Sequence, residues 1–212
     1  MKILNLYAGI GGNRKFWGDE HEIAAVEHDN DIADTYKKYF PNDKVIVADA
    51  HQYLLNHYKE YDFIWSSPPC TTHSDIRRCG VHAGRYEAIY PEMDLYQQII
   101  LLKHFANIKT KWIIENVIPY YNYLIQPSYK LHRHAYWSNF RISNFKVKTK
   151  RLHNDIIGSE SVYGFNIKDT NIKNKKKVLR NMVDPELGLH IFNCFKFSIK
   201  PTPVQGGLFD KS

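Results

Sequence analysis

Apolar residues in the first half of the chain fall in short, nearly continuous runs, separated by stretches with helical spacing. Ile3 to Tyr7 is the first run; it ends at Gly9, Gly11 and Gly12, after which Asn13 to Trp17 is read as the start of a helix. Glu22 to Val26 is a second run closing on Glu27, and Asp31 to Phe40 has helical spacing until Pro41 stops it. The β-branched run Val45 to Ala48 ends at Asp49 and leads into a helix through Tyr58. Asp62 to Trp65 predicts a buried strand that runs into Ser66, Ser67 and two prolines. Met93 to Ile108 returns to helical spacing, and Trp112 to Ile114 predicts a strand ending in Glu115.

Strands that alternate with helices, and that are apolar almost throughout, predict an α/β fold with a mostly parallel sheet covered on both faces. In such sheets ligands bind beyond the carboxyl ends of the strands. The glycine turn, Glu27, Asp49, the Pro-Pro-Cys segment and Glu115 each follow a predicted strand, so all five are expected on one rim. From about Arg141 the pattern changes to Lys, Asn and Ile with weak periodicity, until an apolar helical rhythm resumes over Pro185 to Phe195. The expected organisation is a cofactor-binding and catalytic domain over 1–140, a small basic insertion over 141–178, a helix returning to the domain over 179–200 and a tail over 201–212.

Composition narrows the class. The 212 residues are 43% hydrophobic and 14% aromatic, enough for one well-buried domain and against disorder. The start lacks a cleavable leader pattern and no stretch has the length to span a membrane, which gives a cytoplasmic expectation. Three cysteines at uneven spacing do not make a disulfide framework, so a cysteine role is a thiol role. A net charge of +7, concentrated over Lys146 to Arg151 and Lys168 to Arg180, permits a polyanionic partner.

The chemistry gathers in two groups. Glycines without a Cβ let backbone approach a ligand closely, a carboxylate after the second strand suits a ribose diol, and Asp49 suits an adenine amino group. Together they favour an adenosine-containing cofactor, while the absence of G-x-G-x-x-G spacing and of a Walker lysine weakens dinucleotide and nucleoside triphosphate readings. In the second group, Pro68 and Pro69 stiffen the chain ahead of Cys70, whose thiol in a basic, histidine-containing loop is expected to have a lowered pKa and act as a nucleophile. Cys70, His73, Cys79 and His82 also form two Cys-x-x-His pairs, but only five residues separate the pairs, short for a zinc motif, so no metal is expected. Glu115, at the end of an apolar strand, is a candidate proton donor to partner Cys70.

These residues resemble the DNA (cytosine-5)-methyltransferase family. LYAGIGG is similar to its first cofactor motif, VEHD to the second, ADA to the third, SPPC to the nucleophile motif and ENV to the motif of the catalytic glutamate, in order across residues 3 to 117. HRHAYW resembles the arginine-containing motif through Arg133, and RNMVDP the final cofactor motif through Asn181 and Val183, with arginine where the family has glycine. The resemblance implies a Rossmann-like S-adenosylmethionine-dependent methyltransferase with a small basic insertion. It implies cofactor binding by Tyr7, Ala8, Gly9, Gly11, Gly12, Glu27, Asp49, Ala50, Pro68 and Asn181, and catalysis by Cys70, Glu115 and Arg133. Double-stranded DNA is the implied partner, with Arg77, Arg78 and Arg85 in a mobile loop after Cys70 as its contacts. The segment in place of a recognition domain is short, so either recognition is minimal or a second subunit supplies it. Structured RNA as substrate, and a non-catalytic DNA-binding subunit, are the alternatives.

Overall fold

The five apolar runs become five parallel strands: β1 (Lys2–Leu6), β2 (Glu22–Glu27), β3 (Lys44–Val47), β4 (Phe63–Ser66) and β5 (Lys111–Val117). The structure, a computed structural model, describes residues 1–145 and 163–198. Residues 146–162 of the basic insertion and the whole of the predicted tail lie outside the described residues. A hairpin of β6 (Tyr129–Leu131) and β7 (His134–Ser138) adds antiparallel strands beside β5, giving a seven-stranded sheet in the order β3-β2-β1-β4-β5-β7-β6.

Alternation along the strands divides the core between two faces. Leu4, Leu6, Ile64 and Ile114 pack beneath α2 (Ala50–His57) and α4 (Asp94–Phe105) through Leu54, Leu95, Ile99 and Leu102. Ile3, Phe63, Trp65 and Ile113 point to the other face, against Trp17 and the last helix, which supplies Leu187, Ile191, Phe192 and Phe195. That helix is α6 (Pro185–Ser198); it follows α1 (Asn30–Tyr39), α3 (Asp75–His82) and the short α5 (Lys175–Asn181). Side chains start several of these helices: Asp29, Asp49, Ser74 and Asn174 each accept a hydrogen bond from a backbone N–H of the first turn.

Three expectations change. Asn13 to Trp17 forms successive turns rather than a helix, because Asn13 is tied to Asn5 of β1 and the buried Arg14 is held by Asp43 and Asp19, each at 2.9 Å. Residues 75–82, read as a mobile loop, form α3, with the Ser74 hydroxyl capping Arg77 N. Glu115 does not follow its strand but sits inside it, because pairing with β7 extends β5 to Val117.

The later part of the chain also belongs to this core. Phe165, Ile167, Ile172 and Leu179 are buried against Ala8, Ile10, Tyr36 and Phe40, so residues 163–182 pack directly on the glycine turn and α1. Helix α6 locks the same turn from the other side: a Cβ on Gly188 would stand 2.7 Å from the backbone of Asn13. Among the described residues no helix is long and apolar enough to cross a membrane. Because backbone cannot yield as a flexible side chain does, Gly188→Ala is expected to lower unfolding free energy by about 1–3 kcal/mol, measured by chemical denaturation, whereas Gly84→Ala, with open space for a Cβ but φ +68°, registers only backbone strain.

Candidate active site

The three glycines of the first turn have different jobs. At Gly9 (φ +55°) a Cβ would meet nothing within 4 Å, so this residue faces open space at the rim. A Cβ on Gly11 would instead strike Phe40 at 2.2 Å, and one on Gly12 would strike Met182 Cγ at 2.1 Å and the Val183 carbonyl at 2.5 Å. Gly11 and Gly12 therefore admit neighbouring parts of the chain itself. The Gly12 contact also brings the exposed Asn181, one residue before Met182, to the neighbourhood of the turn.

Glu27 stands beside Gly9 and is almost fully buried. Its Oε2 accepts from Gly9 N at 3.0 Å, and its Oε1 from His28 N at 2.9 Å and Asp29 N at 3.1 Å. Three backbone donors fix the carboxylate, two on Oε1 and one on Oε2, so Oε2 retains a lone pair for a hydroxyl. Asp49 is exposed and spends Oδ1 on capping α2, through Gln52 N at 2.7 Å; Ala50 is the buried first residue of that helix. Ala8 is buried and donates to the Val26 carbonyl, and Tyr7 adopts a left-handed φ of 54° that turns its hydroxyl to accept from Gln98 Nε2 at 2.8 Å. Open space at Gly9, a fixed carboxylate next to it and a second acid one strand away fit an adenosine-containing group.

Gln98 connects this turn to the nucleophile loop. Fully buried on α4, it also accepts from the Ser66 hydroxyl at 2.6 Å, and Ser66 is the last residue of β4 before Pro68, Pro69 and Cys70. The loop is held from β5 as well, since Asn116 Nδ2 donates to the Pro68 carbonyl at 3.0 Å. A buried carbonyl left without this donor would cost about 1–3 kcal/mol. Pro68, predicted as a cofactor contact, thus has its carbonyl committed to positioning the loop.

Cys70 and Glu115 come together at the rim. Burial pushes the Cys70 thiol up, and the nearby Glu115 carboxylate pushes it further; Lys177 and Arg133 pull in the opposite direction. This corrects the expected low-pKa nucleophile: the loop's basic residues do not set the local field, so the resting group is a thiol. Arg133 is exposed in the β6–β7 turn, within electrostatic reach of Cys70. The side chain that contacts Glu115 is its neighbour, with His134 Nε2 3.4 Å from Glu115 Oε1.

The other predicted groups divide. Arg77 donates to the Glu87 carbonyl and lies over the Tyr86 ring, Arg78 pairs with Asp75 at 2.8 Å, and Arg85 is exposed just past α3. The four residues of the metal reading do not converge: His73 is fully buried with Nδ1 on the Tyr121 hydroxyl, while Cys79 and His82 are exposed on α3. Among the described residues no cluster capable of holding a metal forms. Asn116, Gln98, His134 and Lys177 were not singled out from the sequence. Only Gln98 carried a signal, as an uncharged polar residue within an apolar helical stripe.

Because only the thiolate alkylates, a raised thiol pKa makes Cys70 slow at neutral pH and faster as pH rises. Mass-spectrometric mapping of iodoacetamide labelling against pH is expected to place the Cys70 midpoint above the ordinary thiol value of about 8.5, and Glu115→Gln to move it down. A midpoint indifferent to Glu115 would show that the two groups do not interact.

The C-5 cytosine-specific DNA methylase family matches residues 1–118. No curated protein matches the chain. Among solved structures, DNMT2 of Spodoptera frugiperda is similar at 24% identity over 55% of this chain and 35% of that one, with a TM-score of 0.38. An S-adenosylmethionine-dependent methyltransferase from Agrobacterium tumefaciens is similar at 13% identity over 55% of this chain and 38% of that one, TM-score 0.38. A TehB-like methyltransferase from Corynebacterium glutamicum is 18% identical over 55% of this chain and 54% of that one, TM-score 0.35. The chain thus spans well under two thirds of the length of each of these structures. The family match covers more than half of the chain, from the glycine turn to the strand of Glu115, and the protein belongs to the C-5 cytosine-specific DNA methylase family, with S-adenosylmethionine as its methyl donor.

Proposed function

We propose that the protein methylates carbon 5 of cytosine in double-stranded DNA, through a covalent Cys70 adduct with a flipped-out base. The observation that carries this reading is the placement of Cys70 and Glu115 at the carboxyl rim of the sheet, where burial and then the Glu115 charge raise the thiol pKa. Carbon 5 of cytosine is a poor nucleophile until a group adds at carbon 6. Cys70 gives its proton to Glu115 and its sulfur bonds to carbon 6. The displaced ring electrons reach nitrogen 3, which takes the proton from Glu115, and carbon 5 becomes enamine-like. Bound S-adenosylmethionine, held by Gly9, Glu27 and Asp49, supplies the electrophilic methyl group. Loss of the carbon 5 proton then expels the Cys70 sulfur, and nitrogen 3 returns its proton to Glu115, which restores the ring.

A base inside a duplex is out of reach of a rim thiol, so the target must leave the stack. Arg133 and Lys177, exposed within electrostatic reach of Cys70, and the exposed Arg85 after α3 supply positive charge for the phosphates, and Arg77 and Arg78 add theirs with part of their donors already committed. Glu115 and Cys70 brought together argue against a non-catalytic subunit, because neither group is needed to bind DNA. Target recognition by the basic insertion over 141–178, or by a second subunit, completes the reading.

Incubation with S-adenosylmethionine and duplexes containing 5-fluorocytosine, which blocks loss of the final proton, is expected to trap a protein–DNA adduct. Cys70→Ser abolishes the adduct, and Glu115→Gln slows its formation by about 100-fold. An adduct with 5-fluorocytosine RNA and none with DNA would transfer the reaction to RNA.

A further inference from the structure

The β5–β7 pairing places a titratable group where Glu115 needs a partner. Val117 is opposite His134 and Glu115 opposite Tyr136, and the Arg133 carbonyl accepts from Ile118 N, so the register of the β6–β7 turn is fixed against β5. In that register His134 Nε2 lies 3.4 Å from Glu115 Oε1. Both side chains are largely buried, at 23% and 10% exposure. The neighbouring Arg133 is exposed, and no ion pair between Arg133 and Glu115 forms within 4.0 Å.

Resting on the cytosine reading above, we propose that His134 is the positioning residue of Glu115, the neutral imidazole and the carboxylate acting as one proton-accepting pair for the Cys70 thiol. As a neutral ring, His134 donates from Nε2 to Oε1 and leaves Oε2 to take the thiol proton and hand it to nitrogen 3. The balance is simple: one proton leaves sulfur and one arrives on the base, and His134 ends as it began. A second proton on the imidazole converts the contact to an ion pair, which lowers the basicity of Glu115 and leaves the thiol proton without an acceptor.

The surroundings favour the neutral ring. Burial lowers the His134 pKa, Glu115 raises it, and Arg133 and His132 in the turn lower it again. Facing the pair from other elements are Cys70 after β4 and Lys177 on α5, and from β7 itself the Tyr136 phenol, whose hydroxyl is buried without a hydrogen-bond partner. The working form therefore has one proton to transfer, on Cys70, while the single proton of the neutral His134 ring stays in place. The rate falls at low pH, as His134 gains a proton, and at high pH, once the Cys70 proton is lost.

Two measurements test this. Adduct formation on 5-fluorocytosine duplexes is followed from about pH 5 to about pH 9 for the wild type, His134→Gln and His134→Ala, with S-adenosylmethionine binding by calorimetry as the control for folding. The wild type is expected to lose rate below the ordinary imidazole value of about 6.5. His134→Gln, which keeps an N–H donor, loses that acid limb and retains about tenfold more rate than His134→Ala. In the second measurement, the His134 imidazole is titrated by NMR in the wild type and in Glu115→Gln, and removing the carboxylate is expected to move its pKa further down. An unchanged acid limb in His134→Gln, equal rates in both variants, or an imidazole titration indifferent to Glu115 overturns the proposal. If the wild type forms no adduct while the NMR coupling persists, the cytosine reading itself fails, and this role for the pair fails with it.

Discussion

A thiol and a carboxylate share a poorly solvated rim, and the charge of the carboxylate acts on the thiol. Burial and the Glu115 charge hold Cys70 as a thiol, against the pull of Lys177 and Arg133. Two acids placed in this way keep one proton between them, because the second negative charge is costly where water is scarce. Much of the surrounding structure serves to keep the two groups in that relation.

The loop bearing Cys70 is anchored ahead of the thiol by two buried amides rather than by its prolines alone. Asn116, adjacent to Glu115 on β5, holds the Pro68 carbonyl, so a shift of the strand that carries the carboxylate moves the loop that carries the thiol. Gln98 holds Ser66 from α4 and extends the same network to Tyr7 and the glycine turn. The cofactor turn and the nucleophile loop are thereby one mechanical unit, built from hydrogen bonds that are strong because they are dry. Helix α6 and residues 163–182 complete it by packing on Asn13 and the glycine-turn cluster.

Glycine usage illustrates how a motif can be right for mixed reasons. Gly9 faces open space, whereas Gly11 and Gly12 make room for Phe40 and Met182. Asp49 is similarly double: it caps α2 through one oxygen, the ordinary role of an acid at that place, and remains exposed at the rim. A close-approach motif in a small protein is shared between ligand and self, since the same turn must seat both.

The alternation of apolar runs with helical stretches was enough to determine a parallel α/β sheet, and the order of its strand ends placed Gly9, Glu27, Asp49 and Cys70 on one rim. These are local properties, fixed by side-chain period and by the turn chemistry of glycine and proline. The sequence could not determine which neighbour would touch Glu115. That followed from an antiparallel hairpin turned at His132, whose register put His134 rather than Arg133 against the carboxylate. Nor could it determine the state of Cys70: the basic residues near it in the chain gave one sign, while burial and a carboxylate from a different strand gave the other. Electrostatics and register depend on distances through space, and those exist only once the strands have paired.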